Sequence, residues 1–125
     1  MINEILIYIG SAVIIIWGIA HIIPVKSVVA GFGSISPDNK RIITMEWIAE
    51  GITLCFIGLL VLFITISGGS QNPVSLNVYR ASALMLVVMA ILTGFTGART
   101  SIVPIKICPF VKTAVAILFF LGTVL

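Results

Sequence analysis

The stretch "TMEWIAEG", residues 44 to 51, places Glu46 and Glu50 four residues apart in an otherwise apolar run. On a helix, that spacing sets both carboxylates on one face about a turn apart. The one histidine, His21, closes the preceding apolar run, with Trp17 a turn before it. Carboxylates and an imidazole brought together could exchange a proton, hold a cation or grip the polar head of an apolar molecule. An imidazole base beside a glutamate acid would also suit membrane enzymology. Two carboxylates and one histidine form a hard-metal set. Yet the chain has neither an HxxxH nor an ExxH pair. The expectation is therefore no metal and no cofactor; an enzymatic role is left open, with no catalytic residue assigned. Trp17 and Trp47 read either as interface anchors or as an aromatic wall around an apolar ligand.

The elements that must position these groups follow from composition. The chain has 125 residues, of which 60% are hydrophobic and only 9% charged. Soluble domains carry about 25% charged residues, and a chain this short could not bury so much apolar surface in water. Lipid is therefore the expected outer solvent, around a single integral membrane domain over residues 1–125. A span needs about 20 apolar residues. Four segments qualify, at about 5–24, 42–66, 78–97 and 105–125. Their lengths and lack of period-2 alternation predict helices, since four strands could not close a barrel in lipid. The fold class expected is all-α, an antiparallel up-down bundle of four transmembrane helices.

The joints are legible. Ser36 reads as an N-cap with Pro37 at the first helical position, which starts the second helix before the membrane. "SGGSQNP", residues 67 to 73, reads as a short uncharged turn. Cys108-Pro109 reads as a later start or a kink in the last helix. Two separated cysteines give no disulfide framework. The N-terminal run lacks a basic region and a small-x-small cleavage site, so it reads as a retained helix.

Basic residues set an expected orientation. Loops 25–41 and 98–104, with the flanking Lys106, hold five of them; the other side has Arg80. Excess lysine and arginine mark the cytoplasmic face. Both termini are expected outside the cytoplasmic (inner) membrane, with dual insertion as the alternative for a chain this small. No dense basic patch points to nucleic acid. Tyr8 and Tyr79 fall where an aromatic belt belongs at the outer interface, and Arg80 can snorkel there.

Up-down topology then gathers polar groups at the basic end. Glu46 and Glu50 meet His21, Arg99, Lys106, Cys108 and Lys112. Charges in a span are costly and face the bundle or a cavity. Arg99, Lys106 and Lys112 are the expected ion-pair partners. The carboxylates either fix helix register with them or remain free for a ligand or proton. Ala83, Ala90, Gly94 and Gly97 form a small-residue strip on the third helix, and Gly51 and Gly58 recur on the second. Such strips allow close helix approach. A homodimer is expected to be compatible with so small a bundle. The apolar "VVAGFG" of the first loop is expected to lie on the membrane surface or re-enter over the polar cluster.

The helix layout, with "WGIAH" closing the first helix ahead of "EWIAEG" in the second, resembles the small four-helix DoxX-like bacterial membrane proteins. The resemblance covers most of the chain. It implies the fold and makes Trp17, His21, Glu46, Trp47 and Glu50 candidate site residues. Small multidrug resistance transporters are similar in length and helix number. Their membrane glutamate lies in the first helix, where this chain has no internal acid. The functional expectation is a membrane protein that binds lipid or a small hydrophobic molecule at the polar cluster. The alternatives are a proton-coupled transporter using Glu46 or Glu50, and a structural or accessory subunit.

Overall fold

The computed structural model describes residues 1–125 and contains helices only. Four are long: α1 (Ile2–Ile22), α3 (Pro37–Gly68), α4 (Pro73–Phe95) and α5 (Val103–Val124). A short α2 (Val25–Ala30) lies in the first connection. A 3-10 turn at Gly97–Arg99 precedes α5. Each long helix is long and apolar enough to cross a bilayer, and together they form the expected four-helix bundle. Only 25 of 125 residues are buried. Most isoleucine and phenylalanine side chains face outward, as a lipid solvent permits and water does not.

Local chemistry sets the ends. Ser36 caps α3, its hydroxyl accepting from the Asn39 N–H at 3.1 Å, and Pro37 takes the first helical position. The 32-residue α3 is about 48 Å long at 1.5 Å per residue, so its first turns overhang about 30 Å of hydrocarbon. Gly69 ends it at φ 79°, a left-handed conformation that glycine adopts without strain. Asn72 caps α4 three residues later, accepting from the Val74 N–H at 2.8 Å. Pro109 lies inside α5. It leaves the Ile105 carbonyl without its helical donor but does not restart the helix.

The core is a seam with seven-residue steps. Ile7 and Ile14, Leu54 and Val61, and Tyr79 and Leu86 are all fully buried. On α5 the buried stripe runs through Cys108, Lys112, Val115, Phe119 and Gly122. Steps of three, four and seven match the packing of helices crossing at a shallow angle.

The four seams differ in thickness. α1 packs most closely on α3, α4 on α5, and α1 less closely on α5. The α3–α4 seam is the thinnest. The bundle is thus two tight pairs, α1/α3 and α4/α5, joined along α1–α5. Hydrogen bonds between α3 and α4 lie at their turn end, Thr65 with Tyr79 at 2.6 Å and Ser75 with the Ile64 carbonyl at 3.5 Å.

Three expectations are corrected. Tyr79 is not an interface residue: it occupies the buried stripe of α4, and its hydroxyl pairs with Thr65 because an interior phenol needs a partner. Tyr8 is 40% exposed. The small-residue strip of α4 is buried at Ala83 and Ala90 but not at Gly94, which has open space around it. The close approach uses the expected Gly51 of α3, with Gly18 of α1 facing it. A Cβ added at Gly18 would lie 2.8 Å from the Gly51 carbonyl oxygen and 2.9 Å from the Cys55 nitrogen. Finally, the re-entry alternative for the first loop is set aside: the loop forms α2 against α3 and lines none of the polar cavity described below.

The far end has its own polar clasp. The terminal ammonium donates to Asn3 (2.9 Å), the Asn3 amide to Ser70 (3.4 Å), and the Ser70 hydroxyl to Glu4 (2.9 Å). This ties the start of α1 to the α3–α4 turn.

Gly18→Ala is expected to destabilise the bundle by about 1–3 kcal/mol, the usual cost of overpacking. Gly94→Ala is expected to be neutral or to stabilise by up to about 1 kcal/mol. Thermal unfolding followed by circular dichroism in one detergent separates the two. Equal melting temperatures for both variants would contradict the Gly18–Gly51 contact.

Candidate functional site

The central group is Lys112. It falls on the buried stripe of α5 and its side chain is 0% exposed. A buried ammonium without partners is prohibitively costly. Lys112 Nζ donates to the Glu50 carboxylate on α3 and to Thr93 Oγ1 on α4, the latter at 2.9 Å. Thr93 donates its own hydroxyl proton to the Met89 carbonyl at 2.8 Å. Its oxygen lone pair is therefore free to face the lysine. One ammonium thereby bridges the thin α3–α4 seam.

His21 completes the cluster from α1. Its Nε2 lies 3.3 Å from the second Glu50 oxygen. The separation is that of an ion pair if the ring is protonated. The contact does not meet hydrogen-bond geometry, so Nε2 is buried without an aligned partner. The ring stacks on Trp47, centroids 4.1 Å apart and planes 13° off parallel. Trp47 also donates its indole N–H to the His21 carbonyl. That carbonyl belongs to the last turn of α1, where backbone acceptors lack helical donors. Trp47 and Glu50, three apart on α3, thus hold His21 from two sides.

These residues sit at one end of a cavity of ≈ 720 Å³. Its walls come from all four long helices. Trp17 and His21 stand on α1, Thr53 on α3, Met85 and Met89 on α4, and Cys108 on α5. Trp17 donates its indole N–H to the Cys108 sulfur at 3.3 Å, closing the wall between α1 and α5. Cys55 and Cys108 are both free thiols. The cavity lies where α3 and α4 diverge from their turn.

Of the residues singled out from the sequence, His21, Glu46, Glu50, Trp17 and Trp47 all line this cavity. Lys112 lies beneath it, bonded to Glu50. Glu46 is exposed and has no cation within ion-pair distance. Arg99 forms no ion pair; its guanidinium lies over the Phe95 ring, 5.8 Å from the centroid. Lys106 forms none either. It precedes Lys112 by six residues, which rotates it by about 240° around α5, away from the buried stripe. The contribution of α4 is therefore Thr93 rather than Arg99. Thr93, Thr53 and the Met85–Met89 pair were not singled out. A threonine in a span is an unremarkable helix residue, and only the i, i+4 spacing of the methionines placed them on one face. No group of three or more potential metal ligands is present.

Lys112→Met is expected to destabilise the protein by about 3 kcal/mol, since it strands a carboxylate in a low-dielectric site. Lys112→Met combined with Glu50→Gln is expected to recover much of that loss. A double-mutant cycle from thermal unfolding measures the coupling. Strict additivity of the two single changes would contradict a direct Lys112–Glu50 pair.

Comparison with protein-family models, curated proteins and solved structures gives no match to this chain.

Proposed function

We propose that the chain is a single integral membrane domain that takes a lipid or small hydrophobic molecule into the cavity between α3 and α4. Its polar end meets Glu46, His21 and Glu50, and its apolar body lies along Trp17, Met85 and Met89. The observation that carries this reading is the cavity itself, ≈ 720 Å³ with an apolar wall and a polar end. Small-molecule sites run from about 300 to 1,000 Å³ and combine apolar walls with a few polar groups. The thin α3–α4 seam supplies a lateral route from the bilayer. The site draws all its helices from one chain, so a homodimer is compatible with it but not needed. The basic loop end is assigned to the cytoplasm, and the DoxX-like affiliation rests on the juxtaposition of "WGIAH" with "EWIAEG".

A structural or accessory role draws support from the completeness of the Glu50–Lys112–Thr93 pairing. It leaves the cavity and Glu46 without a use.

The chain has two tryptophans, and both line the cavity. Intrinsic emission therefore reports occupancy. Bromoundecanol, whose bromine quenches indoles, is expected to quench saturably in lipid nanodiscs. Thr53→Phe, which would narrow the cavity without adding an indole, is expected to weaken the saturable component. Quenching that rises only linearly with probe, as for simple bilayer partitioning, would refute the binding reading.

A further inference from the structure

We propose that the cavity selects cationic amphiphiles, and that Glu46 is the residue that sets this preference. The inference rests on the binding reading above and names the ligand class it takes.

The argument begins with the charges around the cavity. Its ionisable lining consists of Glu46, Glu50, His21 and the Cys108 thiol; no lysine or arginine lines it. Glu50 is committed to Lys112 and flanked by His21. The Glu50 and Lys112 charges offset each other. Glu46, a turn nearer the loops on the same face of α3, adds one uncompensated negative charge.

The missing counter-ion is notable because basic residues are plentiful at this end. Each is accounted for elsewhere. Arg41 pairs with Asp38 at 3.8 Å. Arg99 lies over Phe95. Lys26 and Lys40 line a separate cleft beside α2. Lys106 points off the buried stripe. Five cations surround the loop end and none neutralises Glu46.

The remaining lining suits the same ligand class. An ammonium head on an apolar tail gains charge attraction from a carboxylate in a partly water-excluded site. Tryptophan faces attract cations, and methionines adapt to tails of varied shape. An anionic amphiphile would meet Glu46 as a like charge. A neutral one would gain the apolar wall and nothing at the mouth.

The test uses displacement of bromoundecanol from the full chain in nanodiscs of zwitterionic lipid. Three probes with the same tail are compared: decyltrimethylammonium, neutral decyldimethylamine oxide and anionic decyl sulfonate. The ratio of wild type to variant for each probe cancels its bilayer partitioning. Decyltrimethylammonium is expected to lose about fivefold in apparent affinity in Glu46→Gln, the size of one exposed ion pair of about 1 kcal/mol. The amine oxide is expected to be unchanged, and the sulfonate to improve. Glu46→Asp keeps the charge and is expected to retain the cation preference. Glu46 is exposed, so Glu46→Gln is expected to unfold at the wild-type temperature. Equal wild-type-to-Gln ratios for all three probes would overturn the inference and leave cavity binding intact. Absence of saturable bromoundecanol quenching would overturn the binding reading, and the inference with it.

Discussion

An ammonium group that must be buried is the constraint on which the loop end of this bundle depends. Lys112 sits on the one stripe of α5 that faces the interior, and its stem is too short to bring the charge to water from there. The carboxylate of Glu50 and the hydroxyl of Thr93 are the solution. They come from two different helices, so satisfying one charge fixes the distance between α3 and α4. His21 then takes the remaining side of Glu50, and Trp47 holds His21. Four helices are set relative to one another by a single desolvated group.

The other end of the bundle buries only neutral polar groups. Thr65 and Tyr79 satisfy each other in the interior, while Asn3, Ser70 and Glu4 bind the chain start to the α3–α4 turn. Between the two polar ends, packing is apolar and glycine-mediated. Gly18 and Gly51 bring α1 and α3 close enough that a methyl group would meet backbone. The α3–α4 seam has no such contact, and the cavity occupies the space.

The fold was legible because its causes are local and additive. Span length, apolar composition, the Ser36-Pro37 start and the Gly-Gly stop each act within a few residues. The lining of the candidate site was legible in part. Glu46, Glu50, His21, Trp17 and Trp47 were found because charge and aromatic character stand out against an apolar background. Which cation met which carboxylate depends on azimuth around α5, a tertiary quantity. The seven-residue step through 108, 112, 115, 119 and 122 contained that information, since it places Lys112 inward and Lys106 off the seam. Tyr79 was misplaced for a related reason. Depth along the helix suggested an interface, whereas its step of seven from Leu86 marked it as interior.

The uneven seams described above give the bundle the mechanics of a bound book. The α1–α5 contact is the spine, the α1/α3 and α4/α5 pairs are the boards, and the α3–α4 gap is the fore-edge. The short turn from Gly69 to Asn72 stitches the fore-edge at one corner, and Lys112 is the clasp near the other. Widening the gap therefore requires no helix to unwind and no pair to separate. It asks for a small rotation about the spine and the release of one ionic clasp, so the resistance of the gap to widening is concentrated at the Lys112–Glu50 pair.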